Sequence, residues 1–371
     1  MTSETDRVER EQELRLLRDS VGTLLERAGG PTRARAARGS RNGVDRAVWS
    51  QLAEAGVLGA MLGEDAGGLG LGLVAGGAIA EEFGRVLAPE PFGPVAGLAV
   101  GLLERLCPEH ALLGQIVAGE IFPAIAWQER GPSGPSAKTE TRFSGTALKG
   151  DKAWVAAAEG ADILLVLADS PDGLALCRAD GQASGVSYEP IRQADGGFLC
   201  EIAFLNAPAE VVASGPQVGE ALTAAVDDAT ALAAAELLGV VCEALKLTLD
   251  FLKTREQFGR PIGAFQALQH RAVDMHLAHE IAAAGIREAL ALMDETSDTR
   301  QRSRQASRAK VRAGEAARKI TREAIQMHGA VGYTDEFDIG LYLNRALALS
   351  AWLGDAAYHR RRWLDLNEQY G

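Results

Sequence analysis

Residues 255–270 read Arg-Glu-Gln-Phe-Gly-Arg-Pro-Ile-Gly-Ala-Phe-Gln-Ala-Leu-Gln-His. They start where one Ala/Leu-rich run, 220–254, ends and lead into the next, 264–294, each long enough for an extended helix. Glycine and proline punctuate the string, so it reads as a short connection between those helices. Taken alone, Arg255 is a surface arginine at a helix C-terminus.

Further along, Glu295–Arg302 reads as a turn. Residues 303–328 then carry Ala306, Ala309, Ala313, Ala316, Ile320, Ala324 and Met327 on one stripe. Glu315 and Lys319 are spaced for an i,i+4 pair on that helix. The basic run Arg300–Arg312, broken by Ser, Gln and Ala, reads as its solvated face. Residues 338–368 form a last helical segment, broken near Gly354. Four long helices with short connections predict a bundle.

Upstream the pattern changes. Segment 130–137 is a loop by composition. It is followed by short apolar runs, Lys152–Ala157, Ile163–Ala168, Leu174–Cys177 and Phe198–Leu205, bounded by turn residues. These predict strands, with the exit from the β-region at Asn206–Pro208. Residues 1–30, 44–55, 74–87 and 95–118 have helical character, with a Gly/Arg-rich connection at 29–43 and a glycine loop at 56–72. The fold class is mainly α with a middle β-domain. Expected boundaries are 1–119 for an N-terminal helical domain, 120–213 for the β-domain and 214–371 for the bundle.

The chain has 371 residues, a net charge of −12 and no basic stripe, which argues against nucleic-acid binding. Its four cysteines are far apart and lack a CxxC spacing, so neither a disulfide framework nor a zinc knuckle is expected. The polar N-terminus does not read as a signal peptide, and no apolar run reaches about 18 residues. A cytoplasmic protein with no membrane span is expected. Aromatic residues are only 5 %, which fits close packing of Ala- and Gly-rich helices.

The 255–270 string resembles the signature of the acyl-CoA dehydrogenase family. So do Gln-Met-His-Gly-Ala-Val-Gly-Tyr-Thr-Asp-Glu at 326–336, Trp49 with Leu52–Gly56, Gly63–Gly68, and Glu82-Phe83-Gly84-Arg85. The resemblance spans nearly the whole chain in the right order. It implies an N-terminal helical domain, a β-barrel-like middle domain and a C-terminal four-helix bundle. It also implies FAD, an acyl-CoA substrate that loses α and β hydrogens, and tetramers built as dimers of dimers. An electron-transfer flavoprotein or similar acceptor follows from the same resemblance.

In such enzymes the neighbouring subunit's bundle completes the FAD site. Arg255 matches the arginine that reaches the FAD pyrophosphate, where a guanidinium fork suits phosphate oxygens. Gln257 matches an adjacent polar contact, and Phe258 a ring packed on the cofactor. Gln326, Gly329 and Gly332 match a turn that admits the adenosine-diphosphate part, with Ala330 replacing the usual second glycine. The flavin-holding half is reduced. The loop at 127–134 keeps Glu129 and little else, and Ala156 stands where a flavin-facing hydroxyl is usual. Trp154 is read either as a stacking ring or as core.

Deprotonation next to a thioester needs a carboxylate in a desolvated pocket. Of the family's two Glu positions, Gly354 occupies one and Ala229 the other. Asp227, Asp228 and Glu236 lie elsewhere on the same helix as Ala229. Asp355 is therefore read as a shortened base, or as an N-cap for 356–366. Loss of one half-site with retention of the other resembles the heterotetrameric (α2β2) steroid side-chain dehydrogenases of actinobacteria. The resemblance implies a homologous catalytic partner subunit and a steroid side-chain CoA thioester. A self-sufficient homotetrameric flavoenzyme using Asp355 and a non-enzymatic assembly subunit are the alternatives.

Overall fold

The computed structural model describes residues 4–40, 44–131 and 139–368; of the loop expected at 130–137, residues 132–137 lie outside them. The helices before the sheet are α1 (Glu4–Arg27), α2 (Pro31–Ala37), α3 (Arg46–Glu54), α4 (Gly72–Val86), α5 (Gly101–Leu106) and α6 (Ala111–Val117). The strands are β1 (Pro123–Ala126), β2 (Arg142–Phe143), β3 (Ala147–Ala156), β4 (Ile163–Ser170), β5 (Gly173–Asp180), β6 (Val186–Arg192) and β7 (Phe198–Ser214). Then come α7 (Gln217–Thr254), a small hairpin of β8 (Glu256–Gln257) and β9 (Arg260–Pro261), α8 (Gln266–Glu295), α9 (Thr299–His328), α10 (Ile339–Ala351) and α11 (Ala356–Glu368). The 29–43 connection thus contains α2. The single helical stretch expected at 95–118 is a π-helical segment, Gly93–Val100, followed by α5 and α6.

The chain divides into two compact units. One comprises Met1–Arg35, Leu73–Ala88 and Ala231–Gly371; the other comprises Ala36–Gly72 and Pro89–Thr230. This division crosses the expected three-domain boundaries, because Leu73–Ala88 groups with the bundle. The reason is a pair of glycines. A Cβ on Gly84 would lie 2.0 Å from the Glu236 carbonyl, and one on Gly239 would lie 1.9 Å from the Glu81 carbonyl. Helices α4 and α7 therefore meet backbone to backbone, and an alanine at either position would force them apart, costing about 1–3 kcal/mol. The acids of α4 are neutralised within this unit: Arg18 reaches Glu81 at 2.7 Å, and Arg85 reaches Glu82 at 2.8 Å. The predicted stripe on α9 is buried along its length.

In the other unit the strands close on themselves. The order β1-β4-β2-β3-β7-β5 is completed by a β4–β5 pairing, while β6 adds to β7. The sheet is a barrel, in which every strand from β2 to β5 finds partners on both sides except for short stretches. The expected exit at Asn206–Pro208 is instead a kink inside β7. Asn206 adopts φ +53, a left-handed conformation that asparagine tolerates, and β7 continues to pair with β5 through Ser214. Trp49 is fully buried and packs edge-on against Phe122 at 5.0 Å, fastening α3 to the start of β1.

Candidate functional site

The bundle unit brings the two C-terminal motifs to one place. Helix α7 ends at Thr254 and α9 ends at His328. One turn before α7 ends, Phe251 stacks on His328 at 4.4 Å, and Phe337 packs edge-on against both rings. This ring cluster ties the end of α7, which Arg255 and the β8–β9 hairpin follow, to the end of α9, which carries Gln326 and precedes Gly329. Burial lowers the His328 pKa, so its ring serves here as a neutral packing element.

Arg255, Gln257, Phe258, Gln326 and Gly329 are all exposed. Among the described residues the Arg255 guanidinium makes no ion pair. The Gln257 amide donates to the neighbouring Glu256 carbonyl at 2.8 Å. Phe258 is 92 % exposed and sits at φ +58, an uncommon conformation for an aromatic residue. Phe265 meets it edge-on at 6.1 Å, and the Arg260 guanidinium lies 4.3 Å above the Phe265 ring. Gly329 also has a positive φ and open space where a Cβ would be. A solvent-facing cation, an upright ring and a bare glycine suit a ligand with a phosphate part and a flat part. The donor set fits FAD offered from outside this chain. Gly332 is different. It is buried, and a Cβ there would press on the Ile325 carbonyl at 3.0 Å, so its smallness serves internal packing.

The two positions where the resemblance leads one to look for a base have a different character. Leu353 and Gly354 both have positive φ, at +59 and +107. A Cβ on Gly354 would lie 2.4 Å from the Tyr358 ring and 3.1 Å from His359 Nε2. Tyr358 therefore fills the direction in which a side chain at 354 would grow. Asp355 is exposed, and its carboxylate accepts the Tyr358 N–H at 2.8 Å, capping α11. The N-cap reading of Asp355 is the one seen in the isolated chain. Ala229 is fully buried. Asp228 is paired with Arg105 at 2.6 Å, and Glu236 accepts from Arg345 Nε at 2.9 Å, so each has a cation beside it.

Sequence reasoning missed what holds the 352–355 turn. Lys310 lies inside the run read as a solvated face, yet only 1 % of it is exposed. Its Nζ donates to the carbonyls of Leu349 at 2.9 Å and Gly354 at 3.1 Å, and also to that of Trp352. Burial pulls its pKa down to about 7, with the charge of Asp355 opposing the fall. The three carbonyls further favour the ammonium. Beside it, His359 Nδ1 is 3.2 Å from the Ser307 hydroxyl, and its Nε2 is 3.1 Å from the Leu353 carbonyl. Burial and the cations Lys310 and Arg362 push His359 down to about 3. A periodicity signal was available: Lys310 follows Ala306 by four and precedes Ala313 by three. The i,i+4 pair expected for Glu315 and Lys319 is replaced by a longer-range one, since Glu315 pairs with Arg360 on α11.

In the barrel unit, Trp154 is 41 % exposed at φ +61, on a bulge between Lys152 and Val155. It is an outward-turned ring rather than core. Glu129 clamps two backbone segments. Its carboxylate accepts from the Glu140 N–H at 2.8 Å, the Thr141 hydroxyl at 2.8 Å and the buried Lys152 ammonium at 2.7 Å. Burial alone would raise its pKa, but the Glu140 N–H, Lys152 and Thr139 outweigh it and hold it at about 2. Residues 132–134 of the expected flavin loop lie outside the described residues.

Residues 11–109 match the acyl-CoA dehydrogenase N-terminal domain, and residues 220–364 match the C-terminal domain. Acyl-CoA dehydrogenase IpdE2 of Mycobacterium tuberculosis is 30% identical, over 90% of this chain and 91% of that protein. Its namesake in Mycolicibacterium smegmatis is 31% identical, over 95% and 97%. Among solved structures, a variant of the Tcur3481-Tcur3483 steroid ACAD superposes with a TM-score of 0.86 at 31% identity, covering 97% of this chain and 99% of that one. The ChsE4-ChsE5 complex from Mycobacterium tuberculosis gives a TM-score of 0.84 at 25% identity, covering 100% and 98%.

Proposed function

The chain belongs to the acyl-CoA dehydrogenase family, and on that premise we propose that it is one subunit of a heteromeric, FAD-dependent acyl-CoA dehydrogenase. The reaction is α,β-desaturation of a CoA thioester, with a steroid side chain as the acyl group. This chain completes the FAD site of a homologous subunit that carries the base. An electron-transfer flavoprotein or similar acceptor takes the electrons. The likeness to a steroid ACAD supports the substrate class, and the likeness to the ChsE4-ChsE5 complex supports the heteromer.

One contrast carries the reading. Arg255, Phe258, Gln326 and Gly329 stand exposed around one end of the bundle, while the place of the missing base is filled by the Tyr358 ring. FAD, held there, would supply the oxidant for a desaturation in which the β-hydrogen leaves as hydride and the α-hydrogen as a proton. Arg255 offers two parallel N–H donors to the diphosphate. Phe258 lays an apolar face against the cofactor, and Gly329 lets the backbone approach it. Asp355 is exposed and caps α11 rather than facing a pocket, so in this reading the base that would take the α-proton belongs to the homologous subunit.

The test is flavin absorbance and turnover of this chain purified alone and after coexpression with its homologous subunit. The proposal expects flavin and desaturation only in the coexpressed complex. Stoichiometric FAD and full turnover in the lone chain would overturn it.

A further inference from the structure

Of six histidines, three have local structural roles. His110 caps α6 by accepting the Leu112 N–H at 3.1 Å, while His328 and His359 are buried as described. His276 and His279 have no such role in the fold. His276 lies on α8 three residues before His279 and four before Glu280, which sets it beside both, and the adjacent His279 and Glu280 side chains meet each other. We propose that His276, His279 and Glu280 form a binding site for a divalent transition-metal ion of the zinc class, independent of the flavin reading above.

The geometry is close to what such an ion requires. His279 Nδ1 is 3.0 Å from Glu280 Oε1, and His276 Nδ1 is 3.9 Å from the same oxygen. One donor atom from each residue lies within 4.8 Å of the others. Bonds of about 2.0–2.2 Å in a tetrahedral site put neighbouring ligand atoms about 3.4 Å apart, inside that spread. Small rotations of two side chains therefore suffice.

The chemistry agrees. A carboxylate only accepts, so the 3.0 Å contact requires a proton on His279 Nδ1. A cation would replace that bridging proton between nitrogen and oxygen. His279 is largely sunk into the protein, with side-chain exposure of 13 %, and its contact with Glu280 fixes the ring orientation. Its Nε2 is buried without a partner among the described residues, leaving Nδ1 as the nitrogen that faces outward. Binding at Nδ1 moves the ring proton to that buried Nε2, which makes the site weaker than a closed structural zinc site. Three ligands from a single helix leave a coordination position for water. Two imidazoles and one carboxylate select zinc, nickel or copper over magnesium and calcium, which prefer all-oxygen shells.

The test is calorimetric titration of the tag-free full chain with zinc chloride, repeated with magnesium and calcium chloride. One zinc per chain and no magnesium or calcium binding are expected. The exposed pair His276→Ala with Glu280→Gln should weaken zinc binding at least about tenfold, since even outer-shell changes cost that much at metal sites. His270→Ala, six residues upstream on the same helix, should leave it unchanged. Unaltered zinc affinity in the double variant, an equal loss in His270→Ala, or no zinc binding by the parent chain would each overturn the site. Circular dichroism of the variants separates a lost ligand from a lost fold, and His276→Ala alone serves if the double variant unfolds.

Discussion

At residue 354 a glycine stands where the proposed reading looks for a carboxylate base. Its φ of +107 and the Tyr358 ring 2.4 Å from a notional Cβ leave no room for a longer side chain. Its neighbour Asp355 spends its carboxylate on the first turn of α11. Asparagine caps a helix as well as aspartate but cannot take a proton from carbon. Asp355→Asn in the assembled complex should therefore keep turnover at the parental level, and stability within about 0.5 kcal/mol in urea unfolding. Turnover that collapses while stability holds would make Asp355 the base. The capping role was legible in the sequence as one of two readings. The closure by Tyr358 was not, because it depends on the left-handed backbone at Leu353 and Gly354, and no local residue pattern dictates a leucine there.

At the scale of elements, two clusters make the fold pH-sensitive in separate windows. His359 joins α11 to α9 as a neutral ring, with its pKa lowered from 6.5 to about 3. The unfolded chain binds that proton first, so the contribution of His359 is complete above about pH 6.5 and fades as pH falls towards 3. Glu129 joins the end of β1's segment to β3 with its pKa lowered from 4.5 to about 2. Its contribution is complete above about pH 4.5 and is lost as pH falls through 2. Urea midpoints followed from pH 6.5, below the Lys310 window, to pH 3 should decline first in the His359 window. His359→Gln should flatten the fall between pH 6.5 and 4.5, and Glu129→Gln should leave that part unchanged. A parental profile flat down to pH 4.5 would contradict the assignment. Element types were readable where periodicity was strong, as on α9. Lys310 escaped because residue type outweighed position: a lysine in a basic run reads as solvated, although its spacing from Ala306 and Ala313 puts it on the buried stripe. Strand β6 escaped because half-exposed residues dominate it and no apolar run announces it.

At the scale of the molecule, the mainly α organisation with a central β-region followed from composition and pattern, and the family from the 255–270 and 326–336 motifs. Membership of Leu73–Ala88 in the bundle unit did not, because it rests on Gly84 and Gly239 meeting carbonyls far away in sequence. Nor did the gathering of the ends of α7 and α9, next to which Arg255 and Gln326 stand; it depends on Phe251 stacking against His328. That gathering is the basis of the central claim, that this chain contributes an FAD half-site to another subunit. The direct measurement is the flavin content of the coexpressed complex carrying Arg255→Ala, read by absorbance alongside its size on gel filtration. Arg255 is exposed and makes no ion pair among the described residues, so assembly should persist. The account predicts an intact complex that has lost most of its FAD; an intact complex with undiminished FAD would contradict it.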